Sequence, residues 1–317
     1  MSNILKIQAL FLSSALLMFG GGLQGLLLSV RGAQEGFSIL SLGLIGTGWS
    51  VGFVAGSIIV PMLVRRSGHI RAYSVMAAVG TITILLNLLW ISDTGWILLR
   101  IFSGFCFSGA AMIVESWLNE VSDNKNRGTI FSFYVMINLA FSTLGQLSMS
   151  YTGTAGYLPF IIGALAFILA ILPTAMTTRR QPQPLASAKM NFKLLFATSP
   201  IAVMASFSVG IANGTFNTLA PVFGFFQGMD ATHIAQLMSA ALLMGALSQV
   251  PFGKLSDVVD RRWVIAGTSI FAAIVAIVLA LLNPSESWQL YLLFALYGFS
   301  AFPIYSVAVA HANDAAG

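Results

Sequence analysis

The stretch Gly253-Lys254-Leu255-Ser256-Asp257-Val258-Val259-Asp260-Arg261-Arg262 decides the fold of this chain. It places five charged residues within ten positions and between two long apolar segments, although charged residues make up only 8% of the sequence. A short charged stretch between two apolar segments is typical of a solvated loop that joins two membrane helices. We therefore expect a helical membrane protein.

The composition supports this interpretation. Hydrophobic residues make up 57% of the 317 residues and the mean hydropathy is +0.87, which leaves too little polar surface for a soluble fold. The apolar runs are too long and continuous for the alternating strands of a barrel, so an all-α membrane protein is expected. The single cysteine, Cys106, lies between two phenylalanines and cannot form an internal disulfide, so we expect it to be an inert packing residue.

Ten membrane spans of about 20 residues each are predicted by cutting the chain at polar and turn-rich breaks. The predicted spans are 7–30, 38–64, 72–92, 96–118, 128–151, 156–176, 199–226, 231–252, 263–283 and 287–311. The segment 177–198 contains several basic residues and prolines and is the one plausible linker. It divides the chain into a six-helix half, 1–176, and a four-span half, 199–317.

The basic residues predict the orientation. With a cytoplasmic N-terminus, 13 of the 15 lysines and arginines lie in cytoplasmic segments, while Arg31 is outside and Arg100 lies within a span. Such a bias is the positive-inside rule, and it explains the net charge of +5 without a nucleic-acid partner. We expect a multi-pass protein of the bacterial inner membrane.

The two halves show a weak internal repeat. A shift of 192 residues aligns Gly22 with Gly214 and the loop 61–71 with the loop 253–263, and a shift of 194 aligns Gly104 with Gly298. This predicts two parallel repeats of six spans, of which the second has four spans here. We expect that spans 11 and 12 were lost or were never included.

The opening stretch resembles the inner-loop signature of the major facilitator superfamily, Gly-x-Leu-x-Asp-x-x-Gly-Arg-Arg/Lys, with Asp260 where glycine is usual. In the first-half copy, Pro61 replaces the glycine and Arg65 the aspartate. The Arg-x-x-x-Gly pattern of Arg100 and Gly104 is similar to that superfamily's span 4. Finer features, 115–120 with 127–128 and 310–314, look like a bacterial YcaD-like branch.

The resemblance implies a secondary transporter that alternates between inward-open and outward-open states, with spans 1, 4, 7 and 10 lining its pathway. Its inner loops would act as latches, which means that they stabilise the state in which the cytoplasmic side is closed. Asp257 would lie near the N-terminal end of span 5, where the helix dipole is positive. Asp257 shaping only its own turn is the alternative. Arg65 would pair with Glu115, Glu120 or Asp123, or reach the lipid headgroups. The gating candidates are Arg65, Arg66, Gly68, Arg127, Gly253, Asp257, Arg261 and Arg262.

Polar residues within spans are candidates for the solute or proton pathway, because charges there are costly. They are Gln24, Arg100, Glu115, Asn138, Asn213, Asn217 and Tyr305. Arg100 suggests an anionic solute or a coupling proton, or it reaches the interface. Glu115, about 22 Å further along the helix, suggests a protonation site or an ion-pair partner. Interhelical hydrogen bonds are the alternative for the neutral residues.

Other functions have little support in the sequence. The histidines are far apart, no phosphate-binding loop occurs, and no acid-base or nucleophile group is evident in the spans, so we expect no enzyme, metal or cofactor. The expected partners are a small-molecule substrate, protons as a coupling ion, and the bilayer around a monomer. A transport-inactive binding or sensing protein remains an alternative, and drug efflux and uptake of a small polar or anionic nutrient both stay open.

Overall fold

The computed structural model describes residues 3–122, 127–176, 196–282 and 287–316, and these residues form helices joined by short turns. The helices are α1 Asn3–Gln34, α2 Ile39–Ser67, α3 His69–Leu89, α4 Asp93–Val121, α5 Arg127–Thr152, α6 Leu158–Leu169, α7 Ile171–Ala175, α8 Pro200–Phe226, α9 Ala231–Val258, α10 Arg261–Leu282, α11 Ser287–Ala301 and α12 Pro303–Ala316. The predicted all-α fold is confirmed.

Within the described ranges, nine helical segments are long and apolar enough to cross a membrane. Two of these spans consist of two helices each: α6 and α7 form one, and α11 and α12 form the other. Helix α8 is 27 residues long but is not among the nine, since Asn213, Thr215 and Asn217 make its middle polar. The predicted span at 199–226 thus coincides with a helix that is long enough to cross a membrane but is not among the nine, so the tenth span stays a prediction.

Contacts group the chain into two compact units. The first contains Met1–Ala188 and Thr218–Ala235, and the second contains Lys189–Asn217 and Gln236–Gly317. The sequence-based division at 177–198 remains a prediction, because most of that linker lies outside the described residues.

Glycines bring α2 and α4 into direct backbone contact in the first unit. A Cβ atom on Gly104 would overlap the carbonyl oxygen of Trp49 and lie 2.8 Å from its carbonyl carbon. A Cβ atom on Gly52 would lie 2.7 Å from the carbonyl carbon of Ile101. Small residues at helix crossings are the usual way for membrane helices to pack closely. The same surface of α2 carries two further buried glycines, Gly48 and Gly56.

The internal repeat is visible in this packing. In the second unit, a Cβ atom on Gly298 would overlap the carbonyl oxygen of Ala241 and lie 2.7 Å from its carbonyl carbon. Gly298 is the repeat counterpart of Gly104, and Ala241 is that of Trp49, at shifts of 194 and 192 residues. The contact between spans 2 and 4 thus recurs between spans 8 and 10.

The turn after α1 and the turn after α8 share one hydrogen-bond pattern. Three successive N–H groups donate to carbonyl groups three to five residues earlier: Glu35 to Arg31, Gly36 to Ala33 and Phe37 to Gly32, and then Gln227 to Phe223, Gly228 to Phe225 and Met229 to Gly224. Gly36 and Gly228 have φ of +77° and +78°, which favours glycine. A shift of 192 residues relates every pair, so the two turns repeat each other in geometry.

Candidate functional site

Arg100 is a cation within the membrane-crossing helix α4, where the sequence predicts it. Its guanidinium carbon lies 5.8 Å from the ring centroid of Trp49 on α2. The Nε atom is buried and has no hydrogen-bond partner among the described residues. A buried donor without a partner costs about 1–3 kcal/mol, so the position fits a ligand that supplies an acceptor oxygen. Carboxylate and phosphate groups match a guanidinium best.

Trp49 belongs to a small aromatic group beside this guanidinium. Its ring centroid lies 5.1 Å from that of Phe53 and 5.6 Å from that of Phe107. The close approach of Gly104 to the Trp49 carbonyl fixes the position of α4 along its axis relative to α2. Because Arg100 lies one turn before Gly104 on α4, that crossing holds the guanidinium and the indole at one level.

Gln24 lies in a buried network that joins three helices. Its Nε2 atom donates to Oδ1 of Asn87 on α3 at 3.5 Å, and its Oε1 atom accepts from the hydroxyl of Ser103 on α4 at 2.9 Å. All three side chains are at most 3% exposed. These contacts match the alternative given above for the neutral residues, namely interhelical hydrogen bonds. A pathway role for Gln24 stays a prediction.

A second polar cluster joins Glu115 and Asn138 through residues that the sequence analysis did not single out. The Tyr134 hydroxyl donates to Oε1 of Glu115 at 3.2 Å, and it also interacts with Asn138 and Ser14. The Ser14 hydroxyl donates to Oδ1 of Asn138 at 2.6 Å. Tyr134 is 3% exposed, whereas Glu115 is exposed. The cluster thus connects an accessible carboxylate on α4 with buried hydroxyl groups on α5 and α1.

The polar candidates of the second unit are less enclosed. The Asn217 amide donates to the backbone carbonyl of Asn213 at 2.8 Å, one turn earlier on α8. The Oδ1 atom of Asn213 is buried without a hydrogen-bond partner among the described residues. Tyr305 is 57% exposed. Asn213 therefore keeps a free acceptor among the described residues, and Tyr305 is largely exposed.

An aromatic cluster also lies in the second unit. Phe216 stacks on Tyr297 with ring centroids 4.4 Å apart, and it also packs against Phe294 and Phe302 at 5.3 and 6.2 Å. The sequence analysis missed this cluster because its members are distant in sequence. The repeat could have revealed it, since Phe216 and Tyr297 correspond to Gln24 and Ser103, which also touch each other.

The inner loop between α9 and α10 is stabilised by its own residues. The Arg262 guanidinium donates to both carboxylate oxygens of Asp260, and the Arg262 N–H donates to Asp260 Oδ1 at 2.9 Å. These hydrogen bonds from Arg262 lower the pKa of Asp260 to about 2. Asp260 is thus the N-cap of α10, which gives a physical reason for an aspartate where glycine is usual.

The other gating candidates lie at partly or fully exposed positions or outside the described residues. Asp257 is exposed, and Arg261 lies 3.7 Å from it, one turn further on. Gly68 joins α2 and α3 with a φ of +82°, which favours glycine, and Arg65 and Arg66 are exposed. Gly253 has open space around it. The side chain of Arg127 and all of Asp123 lie outside the described residues. The latch role of these residues stays a prediction.

No group of three or more histidine, cysteine, aspartate or glutamate residues that could hold a metal occurs in the part of the chain that the structure describes. Two of the histidines likewise have separate surroundings: the rings of His69 and Trp117 have centroids 6.4 Å apart, and His233 forms a hydrogen bond with Asp230.

Residues 10–317 match the family model described as Major Facilitator Superfamily. This chain belongs to the Major Facilitator Superfamily. As a member, it is a multi-pass membrane transporter and not an enzyme. The resemblance inferred from the inner-loop signature is therefore confirmed.

The chain is similar to relatives from the YcaD branch of the superfamily. Two from Escherichia coli, strains UMN026 and 536, are named as uncharacterized MFS-type transporters YcaD. Each is 26% identical over 285 residues, which cover 89% of this chain and 73% of the relative.

Solved structures of the superfamily share the fold. One is a bacterial homolog of the human lysosomal transporter Spinster in an inward-facing, unoccupied conformation. Its TM-score is 0.75 at 15% identity, and the alignment covers 99% of this chain and 78% of the homolog. A D-xylose-proton symporter has a TM-score of 0.72 at 15% identity, and the alignment covers 99% of this chain and 88% of the symporter. The nucleoside transporter NupG has a TM-score of 0.71 at 18% identity, and the alignment covers 96% of this chain and 80% of NupG.

Proposed function

We propose that this transporter is a secondary active transporter that binds the carboxylate or phosphate group of a small anionic or zwitterionic solute at Arg100. The observation that carries the proposal is the buried Nε atom of Arg100, which has no protein partner among the described residues. An arginine in a membrane helix is costly and marks a ligand pathway more often than a structural need. Trp49 stabilises the guanidinium through its ring face and leaves the Nε donor for the solute.

Counterflow of labelled solutes in proteoliposomes tests this proposal. We expect exchange of small carboxylates or phosphates and weaker exchange of neutral controls, for which a nucleoside and D-xylose are suitable. Arg100→Gln should raise the half-saturation concentration about tenfold or more, since roughly 1.4 kcal/mol of binding free energy corresponds to a factor of ten. Arg100→Lys should recover only part of the loss, because lysine lacks the planar donor pair.

The matched control is Arg71→Gln, which removes an exposed arginine near the start of α3. It should leave the half-saturation concentration unchanged. Equal exchange by the Arg100→Gln variant and the unmodified transporter would contradict a solute-binding role for Arg100.

Glu115 is proposed as the proton-coupling group. It is an accessible carboxylate in a membrane helix, and the buried hydroxyl of Tyr134 holds it in place at 3.2 Å. Glu115→Gln should keep solute exchange but abolish accumulation driven by a pH gradient, because glutamine cannot bind and release a proton. Loss of both activities in a folded variant would assign Glu115 to solute binding, and loss of neither would exclude it from the mechanism.

Efflux of amphipathic compounds is the second candidate, and the aromatic cluster around Phe216 favours it. Stacked rings with centroids 4.4 Å apart provide a flat apolar surface of the kind that binds hydrophobic solutes. Phe216→Ala should weaken the binding of hydrophobic cations or dyes if the transporter exports them. A screen in which only anionic metabolites stabilise the protein would favour uptake instead.

The same counterflow assay tests the alternative of a family member that binds or senses a solute without transporting it. Saturable solute binding without counterflow would support it, and exchange would exclude it.

The proposed orientation has a cytoplasmic N-terminus in a bacterial inner membrane, because 13 of the 15 basic residues then lie inside. Labelling of single cysteines introduced at Arg66 and at Glu35 should show opposite sidedness. We propose that the transporter acts as a monomer.

A further inference from the structure

The aromatic group beside Arg100 keeps part of its ring surface uncovered. Its members, all of them partly exposed, are Trp49, Phe53 and Phe107. Rings that fill the interior of the same unit are packed differently, since Phe160 and Phe167 are at most 2% exposed. The aromatic group therefore offers surface that a solute could cover.

This surface lies on the same face of α4 as the guanidinium. Arg100 and Phe107 are seven positions apart, which corresponds to two helical turns, or about 10 Å. Trp49 on α2 reaches both of them: its ring centroid lies 5.8 Å from the guanidinium carbon of Arg100 and 5.6 Å from the ring centroid of Phe107. A solute held at Arg100 by its acidic group thus has aromatic surface within reach.

Helix α1 leaves open space beside the aromatic group. A Cβ atom on Gly21 would lie 2.6 Å from the Phe107 ring, so α1 passes Phe107 at this glycine. Gly25 is one turn further along on the same face of α1, and a Cβ atom there meets no atom within 4 Å. The Ser103 hydroxyl bonds to Gln24, so α1 and α4 run in opposite directions here. The open space at Gly25 therefore lies between the levels of Phe107 and the guanidinium.

The second unit shows that the helix crossing does not require these rings. Trp49 corresponds to Ala241 at the shift of 192 residues, and Phe107 corresponds to Ala301 at the shift of 194. The close backbone contact between Gly298 and Ala241 forms there all the same. Packing of the crossing thus leaves both rings unexplained, as it does the cation beside them.

We propose that the solute bound at Arg100 is an aromatic carboxylate, whose ring lies against Trp49 and Phe107 in the space beside Gly25. Aromatic rings attract each other at centroid distances of about 4.5–7 Å through stacked or edge-to-face contacts, which a saturated ring of the same size cannot make. The inference rests on the proposed function, because it assigns the remainder of a solute whose acidic group binds to Arg100.

Competition in the counterflow assay tests this assignment on the full chain. The competitors are 3-phenylpropionate, its saturated analogue 3-cyclohexylpropionate, and propionate, which has no ring. We expect the half-saturation concentration of 3-phenylpropionate to be about threefold or more below that of the saturated analogue, and about tenfold or more below that of propionate. Equal values for the two ring-bearing acids would overturn the proposal. For a protein that binds without exchange, the rise of the unfolding midpoint with each acid gives the same comparison.

Replacement of one ring makes the test specific. Phe107→Leu keeps an apolar side chain but removes the ring, so it should abolish the preference for 3-phenylpropionate over its saturated analogue. The matched control Phe102→Leu changes a phenylalanine of the same helix that is 57% exposed, and it should keep the preference. A preference that survives Phe107→Leu would contradict the contact.

A second variant leaves every ring in place. Gly25→Val fills the open space, so it should raise the half-saturation concentration of 3-phenylpropionate about threefold or more relative to that of propionate. Gly43→Val adds the same side chain at an open position on α2 and should leave this ratio unchanged. Equal weakening of both acids by Gly25→Val would refute the location of the ring.

Arg100→Gln separates this inference from the proposed function. It should weaken the binding of all three acids. If it does so while the ring makes no difference, Arg100 keeps its solute-binding role and the aromatic assignment is wrong. If it weakens none of them, the proposed function is wrong, and the aromatic assignment fails with it.

Discussion

The substitution Gly104→Ala tests how closely α2 and α4 must approach each other. The added Cβ atom would overlap the carbonyl oxygen of Trp49 and lie 2.8 Å from its carbonyl carbon and 3.0 Å from the Phe53 nitrogen. Favourable contacts between such atoms lie at about 3.5–4.0 Å. The helices must therefore separate by roughly 1 Å along a surface that is packed as densely as a crystal.

The magnitude follows from two opposing effects. Overpacking of this kind costs typically about 1–3 kcal/mol, because neighbouring backbone cannot move aside as a flexible side chain can. Alanine gains up to about 1 kcal/mol over glycine from its higher helix propensity. We expect a net loss of about 1–2 kcal/mol in the free energy of unfolding.

Titration from mild detergent into a denaturing detergent, followed by circular dichroism, measures this loss. The matched control is Gly43→Ala on the partner helix α2, where an added Cβ atom meets no atom within 4 Å. Gly43→Ala should leave stability unchanged or raise it slightly. The repeat counterpart Gly298→Ala should behave like Gly104→Ala. Equal stability of the Gly104→Ala and Gly43→Ala variants would refute the close approach.

Three further predictions concern the polar residues. The lowered pKa of Asp260 means that its carboxylate stabilises the start of α10 above the ordinary value of 3.8, and that this stabilisation is lost as the pH falls towards about 2; Asp260→Asn should therefore flatten the pH dependence of unfolding in that range, and identical profiles would contradict the cap. Tyr134→Phe removes the hydrogen bond to Glu115 and should reduce gradient-driven accumulation more than exchange, whereas Tyr157→Phe, which changes an exposed tyrosine, should affect neither. Asp257→Asn should slow transport and leave membrane insertion intact, and undiminished transport would exclude the latch.

The sequence was sufficient for the helical fold and for the family, because both depend on features that are local in the chain. Apolar runs of span length, basic loops and the inner-loop signature each lie within a few tens of residues. The repeat was also detectable, since glycines such as Gly104 and Gly298 occupy positions where backbone touches backbone. A side chain is excluded there whatever the surrounding sequence.

The polar clusters could not be predicted in the same way, because their partners lie on different helices. Gln24 as a lone polar residue in an apolar run fits a pathway and an interhelical bond equally well. Only the positions of Asn87 and Ser103 on two other helices show that such bonds exist. Tyr134 was missed for a related reason: a tyrosine in a membrane helix gives no signal until its hydroxyl is found beside a carboxylate.

Comparison of repeat counterparts separates what the fold requires from what function adds. Gly104 and Gly298 make the same backbone contact in both units, so the crossing of the helices explains them. Arg100 and its counterpart Phe294 occupy the same place relative to those glycines, yet Phe294 is 1% exposed and packs on Phe216. The fold therefore accepts a large apolar ring at this position. Packing therefore does not require a desolvated cation there, and the Arg100 Nε atom, which has no partner among the described residues, supports the proposal that Arg100 binds the solute.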